Sequence, residues 1–159
     1  MTSLVPYDGS CARVLVEWCA ASPFSSEWVS ASTDPDAVLA AWLEDPDISG
    51  FLLLRGGAPV AYGELWLAPE DAEAELAHLV VDPAGRRQGL GRALALALVA
   101  RARADGLTNI FLRVHPDNLG AIACYGTAGF APCAPEEEAE FDAGQPAAYR
   151  WMRHVAVSG

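Results

Sequence analysis

The segment Arg86-Arg87-Gln88-Gly89-Leu90-Gly91-Arg92, called here the arginine–glycine loop, has the residue types that point most directly to chemistry. It separates a strand-like pattern, which ends at Asp82-Pro83, from a helical pattern that begins at Leu90. A helix N-terminus exposes backbone N–H groups and about half a positive charge, so acidic residues usually stand there. Arginines at this point are repelled unless an anion is bound, and glycines let the backbone approach a ligand closely. The loop therefore predicts a site for a phosphate or pyrophosphate.

Two familiar phosphate-binding motifs do not fit this loop. A P-loop requires Gly-Lys followed by Ser or Thr, and the chain has no such tripeptide. A dinucleotide fingerprint requires a small residue where Leu94 stands and an acid about 20 residues after the loop, where the chain has Thr108 and Asn109. The remaining alternative is a loop whose arginines are incidental.

Alternating and helical patterns predict the elements that would hold the loop in place. Helices are predicted from a Ser10 cap toward Ala21, from Asp34-Pro35 to Asp45-Pro46, over 90–104 with Gly106 as its C-cap, and from an Asn118 cap to Gly129. Strands are predicted over residues 51–54, 60–67, 74–81, 110–114, 130–133 and 148–155, with an acidic loop at 136–140. This order favours an α/β domain in which helices pack on a mixed sheet.

A second motif follows the helix and strand that come after the arginine–glycine loop. It consists of Asn118, Ala121, Tyr125, Gly129 and Phe130. Together with the Arg-x-x-Gly-x-Gly pattern inside the loop, in this order and with a helix and a strand between them, it resembles the signatures of the GNAT superfamily of N-acetyltransferases. The resemblance covers about residues 75–130, and the N-terminal third matches only in the order of its elements.

The resemblance implies one GNAT domain over residues 1–159. Its sheet would be mixed and mostly antiparallel, with about seven strands, and would splay open between the fourth and fifth strands. About four helices would flank it. Acetyl-CoA would lie in this wedge as the co-substrate, and no metal would be needed.

The same resemblance assigns residues to acetyl-CoA. The pyrophosphate would bind the N–H groups of Arg86, Arg87, Gln88, Gly89, Gly91 and Arg92. The pantetheine arm would lie along Leu79, Val80 and Val81, with Asn118 capping its helix and touching the arm. A bulge in the strand would free a backbone N–H, that of Leu79, to serve as an oxyanion donor to the thioester.

Acetylation of an amine needs a base, because an alkylamine at neutral pH is mostly ammonium, and the leaving thiolate benefits from an acid. Glu75 lies eleven residues before Arg86, where family members with a glutamate base carry it, and is the predicted base, acting directly or through a water. Tyr125 is the predicted acid, since the family's tyrosine reaches the sulfur. His78 and Glu64 are further candidates for the base, with His78 expected on the opposite sheet face from Glu75 if pleating is regular.

The acceptor side is defined less sharply. In the family it is lined by the segment between the first two helices and by the loop before the last strand, and here both are acidic: Glu27, Asp34, Asp36 and the residues 136–142. The hypothesis is that these acids attract a cationic small amine or a peptide amine. A solvated acidic loop without a partner is the alternative.

Composition limits the class of protein. The chain has 159 residues, a net charge of −11 and 52% apolar residues, which suits one globular domain. Residues 81–130 carry six arginines and three aspartates, so a basic island lies inside an acidic protein. Net acidity argues against nucleic acid, and neither a signal peptide nor a membrane span is evident. The expectation is a cytoplasmic monomer or homodimer.

Three other functions stay open at this point. An acyl-CoA-binding module without catalysis would keep the arginine–glycine loop but could dispense with Tyr125 and Glu75, and both are present. A protein N-terminal or lysine acetyltransferase would share every motif quoted above. A structural partner domain would use the acidic face as its interface.

Overall fold

The computed structural model describes residues 1–155 and contains one seven-stranded sheet in the order β1-β2-β3-β4-β5-β7-β6. The strands are β1 (Thr2–Pro6), β2 (Ile48–Arg55), β3 (Ala58–Ala68), β4 (Glu73–Val81), β5 (Asn109–Val114), β6 (Phe130–Pro132) and β7 (Arg150–His154). All neighbouring strands are antiparallel except β4 and β5, which are parallel. The predicted mixed sheet of about seven strands is confirmed.

Within residues 1–155, five α-helices accompany the sheet, where about four were expected. They are α1 (Ala12–Ala20), α2 (Pro35–Trp42), α3 (Leu90–Ala104), α4 (Leu119–Thr127) and α5 (Pro135–Asp142). The predicted bounds of α3 are confirmed, and Gly106 follows it with a φ of +84°. Asp34 caps α2 and Asn118 caps α4, each through a side-chain oxygen that accepts a backbone N–H of the first turn.

The helices bury the two faces of the sheet separately. On one face, the leucines of α3 pack on β3, β4 and β5 in a core that includes Leu65, Leu76 and Leu98. On the other face, α1 and α2 pack around Leu15, Leu39 and Tyr62. Each face thus has its own apolar core, and the strands between them contribute side chains to both cores.

The pairing of β4 with β5 is short. Only four residue pairs join the two strands, from Glu73 with Asn109 to Leu76 with Leu112, although β4 continues to Val81. Residues 77–81 therefore have β3 on one side, and on the other side no strand of the described residues pairs with them. This end of the pairing is the wedge that was predicted between the fourth and fifth strands.

A β-bulge interrupts β4 within the unpaired stretch. Glu64 pairs with Ala77 and Tyr62 with Val80, so three steps along β4 oppose two steps along β3. His78 lies in the bulge with a φ of +49°. The bulge turns the His78 side chain toward Glu64 and Trp66, and Trp66 pairs with Glu75 in the register. His78 and Glu75 therefore share one face of the sheet, and the expectation of opposite faces was wrong because the pleating is not regular.

Two further local predictions were wrong, and one strand was missed. Strand β1 was not predicted, because a short edge strand offers little alternation to detect. The segment 136–140 is part of helix α5 rather than a loop, with Pro135 in its first turn. Ser10 does not cap α1; its side chain hydrogen-bonds Asp8 instead.

Two kinds of feature are absent from residues 1–155. No helix there has the length and apolar character that a membrane crossing requires. In the same residues, no group of three or more His, Cys, Asp or Glu side chains is arranged to hold a metal ion.

Candidate active site

The first turn of α3 lacks the features that normally neutralise a helix N-terminus. Its N-cap is Gly89, which offers no side-chain oxygen, and the turn contains no acidic residue. Gly89 has a φ of +75° and Arg87 a φ of +65°. For arginine, this left-handed backbone is unusual and costs free energy, and such strain tends to be kept where a loop serves a ligand. The loop's geometry thus fits an anion better than it fits an unliganded helix end.

The arginines of the loop differ in how they are held. Arg92 donates from Nε to the backbone oxygen of Thr127 at 3.1 Å, and Arg55 donates to Gln88 at 2.8 Å, which ties the loop to α4 and β2. Among the described residues, the exposed side chains of Arg86 and Arg87 have no hydrogen bond or ion pair. Two cations therefore flank the helix end, and no residue in 1–155 supplies a counter-charge to them.

The end of β4, the first turn of α3 and helix α4 meet at Gly91. A Cβ added at Gly91 would lie 3.1 Å from Sγ of Cys124 and 3.9 Å from Cγ2 of Val81. Gly91 therefore lets α4 approach α3 closely. The arginine–glycine loop, the unpaired end of β4 and the helix of Tyr125 thus border one region, as the sequence motifs predict.

Tyr125 packs beside Phe130, with ring centroids 6.3 Å apart. Burial raises the pKa of its phenol, so the hydroxyl is held in its protonated, hydrogen-bond-donating form. Within the described residues no group hydrogen-bonds this hydroxyl. Asn118, two turns earlier, uses its Oδ1 to cap α4 by accepting the N–H of Ala121 at 3.3 Å.

Glu75 is buried and paired with Arg113 of β5. Only 7% of the surface of Glu75 is exposed to solvent. Its two carboxylate oxygens accept hydrogen bonds from Nε and Nη2 of Arg113 at 2.8 and 3.0 Å. Burial is the largest single influence and lowers the pKa of the guanidinium. The hydrogen bonds to Glu75, together with the negative charges of Glu75, Tyr149 and Asp142, outweigh it, and the net shift of the pKa is upward. The Arg113 guanidinium also lies 4.7 Å from the ring centre of Trp151 and 5.7 Å from that of Trp66.

Glu64 is fully buried on the same face and accepts from three side chains. Tyr62 donates its hydroxyl at 2.6 Å, Trp66 its indole N–H at 2.9 Å, and Nδ1 of His78 lies 2.9 Å away. Burial, and next the charge of Glu64, raise the pKa of Tyr62, so its hydroxyl remains a donor. Three partners satisfy a carboxylate that would otherwise be costly to bury.

Three tryptophans surround His78. The Trp42 ring stacks on the imidazole with a centroid distance of 4.0 Å and an interplanar angle of 27°. Trp28 and Trp66 lie with their centroids 4.9 and 5.7 Å from it. Trp28 belongs to the segment between α1 and α2, so this segment packs against His78.

Most of the acidic residues near the last strand have partners within the chain. Glu137 accepts from Arg153 at 2.7 Å, and Glu138 from Arg150 at 3.5 Å. Asp142 accepts the indole N–H of Trp151 at 2.8 Å. These contacts attach α5 to β7, so three of the acids proposed to attract a cation already serve the fold.

Sequence patterns gave no signal for Arg113 or for the tryptophans around His78. Arg113 was counted only as part of the basic island, although its position on β5 beside β4 places it against Glu75. The alternation Tyr62, Glu64, Trp66 could have shown that these three share a face of β3. The convergence of Trp28 and Trp42 depends on the packing of α2 and the preceding segment, which no local pattern encodes.

A family model provides the assignment of the chain. The model described as "Acetyltransferase (GNAT) family" matches residues 14–130. The protein therefore belongs to the GNAT family of acetyltransferases.

Two curated relatives match shorter stretches. The mycothiol acetyltransferase of Actinosynnema mirum is 36% identical over 86 residues, which are 54% of this chain and 29% of that protein. The [ribosomal protein bS18]-alanine N-acetyltransferase of Escherichia coli K12 is 43% identical over 58 residues, which are 36% of this chain and 39% of that protein. The matches thus span about a third of the length of these relatives.

A solved structure shares the fold over nearly the whole chain. The aminoglycoside acetyltransferase AAC(6')-Ib, in complex with coenzyme A and kanamycin, superposes with a TM-score of 0.75 and 20% identity. The alignment covers 98% of this chain and 95% of the other. At this identity the likeness establishes the fold.

Proposed function

We propose that the protein is an acetyl-CoA-dependent N-acetyltransferase that acetylates a primary amine in a ternary complex. The observation that carries the proposal is the uncapped, basic N-terminus of α3 beside the unpaired end of β4. Membership of the GNAT family and a fold shared with an acetyltransferase in complex with coenzyme A support it.

The arginine–glycine loop would bind the pyrophosphate. Its backbone N–H groups and the helix end supply partial positive charge, and the exposed Arg86 and Arg87 supply two full charges. Residues Leu79 to Val81 would hold the pantetheine arm, because no strand in the described part of the chain pairs there with the side of β4 that faces β5. The remaining predicted contacts with acetyl-CoA are made by Gln88, Gly89, Gly91, Arg92 and Asn118.

Acetyl-CoA, when bound, supplies an acetyl group as a thioester. The N–H of Leu79, adjacent to the bulge, would donate to the thioester oxygen as negative charge develops on it. Tyr125 would give its hydroxyl proton to the departing sulfur. The absence of an internal partner for this hydroxyl among the described residues supports that role.

The role of Glu75 as a base that acts through a water molecule stays a prediction. Both of its oxygens are hydrogen-bonded to Arg113, and the residue is almost fully buried. A proton can therefore reach this carboxylate only through a water or by opening of the ion pair.

The acceptor is proposed to be a cationic small amine or a peptide amine. The names of the relatives point both ways, since one acetylates an alanine of a ribosomal protein and the solved structure holds an aminoglycoside. The aromatic walls around His78 suit an amine that carries an apolar group or presents its charge to a ring face.

The test is acetyl-CoA-dependent release of coenzyme A across a panel of polyamines, aminoglycosides, amino acids and short peptides. We expect turnover with one class of amine, and Tyr125→Phe to lower kcat strongly while the acetyl-CoA dissociation constant changes little. Release by the chain's own four cysteines is subtracted with an amine-free control. Tight binding of acetyl-CoA without turnover would favour a CoA-binding module, and no binding would contradict the proposal.

A further inference from the structure

We infer that His78, positioned by Glu64, is the group that takes a proton from the acceptor ammonium; this inference rests on the proposed acetyl transfer. His78 occupies the bulge of β4, directly before Leu79, whose N–H is the proposed oxyanion donor. The backbone that would hold the thioester oxygen therefore also carries the imidazole. A base at this point lies where an amine must approach the thioester carbon.

Glu64 determines which nitrogen of His78 carries the proton. An ionised carboxylate only accepts hydrogen bonds, and Tyr62 and Trp66 already donate to this one. Nδ1 of His78 lies 2.9 Å from Oε1 of Glu64, so it must also donate. In the neutral ring the lone pair is then on Nε2, to which no hydrogen bond from the described residues is directed.

The imidazole is held in position yet remains accessible. Stacking on Trp42 fixes the ring plane, and Trp28 and Trp66 limit its rotation. The side chain nevertheless keeps 18% of its surface exposed. A fixed ring, with one nitrogen to which no described residue donates a hydrogen bond, is the arrangement that a base needs to take a proton from a bound substrate.

The charged groups around His78 come from three strands. Glu64 of β3 contacts it directly, while Arg113 of β5 lies beyond Trp66, 5.7 Å from the centre of that ring, and is neutralised by Glu75 of β4. The segment before α2 and helix α2 itself contribute tryptophan rings. In this inference Glu75 serves to hold Arg113, and His78 takes the place of Glu75 as the base.

The proton and electron balance is complete without another reactant. Nε2 of His78 takes one proton from the ammonium, and the neutral amine forms the C–N bond as the C–S bond breaks. The electron pair of the C–S bond leaves with sulfur, which receives the proton of Tyr125. The tyrosinate takes the second proton from the acceptor nitrogen, and His78 releases its proton to solvent.

The decisive variant is His78→Asn. Asparagine tolerates the left-handed backbone at this position, and its amide can still donate to Glu64, but it has no counterpart of Nε2. The matched control is His115→Asn, a histidine in the loop after β5 whose side chain is half exposed. Glu64→Gln and Glu75→Gln are measured beside them, and thermal unfolding and acetyl-CoA binding verify that each variant is folded.

We expect His78→Asn to lower kcat/KM for the amine by about 10²–10⁴-fold at neutral pH. Its acetyl-CoA dissociation constant should stay within about twofold, and the acidic limb of the pH–rate profile should disappear. Glu64→Gln should lower kcat without raising the KM for the amine, whereas Glu75→Gln should retain the acidic limb. A His78→Asn enzyme that keeps its activity or its acidic limb would overturn the inference.

A second measurement does not depend on turnover. Nitrogen-15 NMR of the free protein, with the His78 signals assigned by their loss in His78→Asn, reports which ring nitrogen is protonated. We expect the neutral ring to carry its proton on Nδ1. A neutral ring with its proton on Nε2 would exclude His78 as the base and leave the proposed acetyl transfer intact. A wild-type protein that is inactive with every amine would contradict both the inference about His78 and the proposed acetyl transfer.

Discussion

Glu64 and Glu75 are two buried glutamates on neighbouring strands and on the same face of the sheet, yet their partners differ in kind. Glu64 accepts from a phenol, an indole and an imidazole. Glu75 accepts twice from one guanidinium. An imidazole gains and loses a proton near neutral pH, whereas a guanidinium stays charged. The first arrangement can therefore take part in proton transfer, and the second fixes the position of β5 against β4.

The largest expected effect on stability concerns the ion pair of Glu75 with Arg113. Arg113→Met would leave the Glu75 carboxylate buried without a partner, and we expect a loss of about 3 kcal/mol or more in the free energy of unfolding. Urea denaturation measures it. The double variant Arg113→Met with Glu75→Gln should recover part of the loss, because the uncompensated charge is gone. A double variant as unstable as the single one would show that Arg113 stabilises through its aromatic contacts instead.

A smaller effect is expected at the residue that connects the two glutamates. Trp66 donates its indole N–H to Glu64, and its ring lies beneath the Arg113 guanidinium. Trp66→Phe keeps a ring but removes the donor, which should cost about 1.5–3 kcal/mol, as expected for a hydrogen bond to a charged group. The change should shift the His78 signals in NMR. If the stability is unchanged, Glu64 does not depend on this third donor.

The smallest effect concerns a second histidine that contrasts with His78. Nδ1 of His154 accepts from Arg103 at 2.9 Å, and Nε2 donates to the backbone oxygen of Ala128 at 3.1 Å. The proton of the neutral ring is therefore on Nε2, whereas in His78 it is inferred to be on Nδ1. Burial, and then the charge of Arg103, lower the pKa of His154.

The unfolded chain binds a proton on His154 more readily than the native state does, because the pKa is lower in the folded protein. The free energy of unfolding should therefore fall as the pH drops below about 6.5, and should level off below the folded-state pKa. His154→Gln should flatten this part of the profile of unfolding free energy against pH. An unchanged slope would mean that His154 is not the group responsible.

The sequence was sufficient for the parts of the molecule that local patterns encode. Leucines every four residues and a following glycine defined α3, and Asp34 and Asn118 marked the starts of their helices. The arginine–glycine loop was recognisable because arginine is unfavourable at a helix N-terminus without an anion.

The acceptor face could not be predicted in the same way. The side on which His78 lies depends on one extra residue in β4. The family resemblance implied a bulge in this strand, but the alternation of residue types does not show that the bulge turns His78 to the face of Glu75. The pairing of Glu75 with Arg113 links residues 38 positions apart in sequence. Helix α5 was taken for a loop because its acids gave it no apolar face, and its ion pairs to β7 arise only in the folded chain.

The central claim is that the N-terminus of α3 binds acetyl-CoA, and calorimetric titration tests it most directly. Wild-type protein and an Arg86→Ala, Arg87→Ala double variant would be titrated with acetyl-CoA at two salt concentrations. We expect the wild type to bind, with an affinity that falls at higher salt, and the double variant to bind at least about tenfold more weakly, as expected for the loss of two charge-assisted contacts. A wild-type protein that does not bind acetyl-CoA, or a double variant that binds it equally well, would contradict the account.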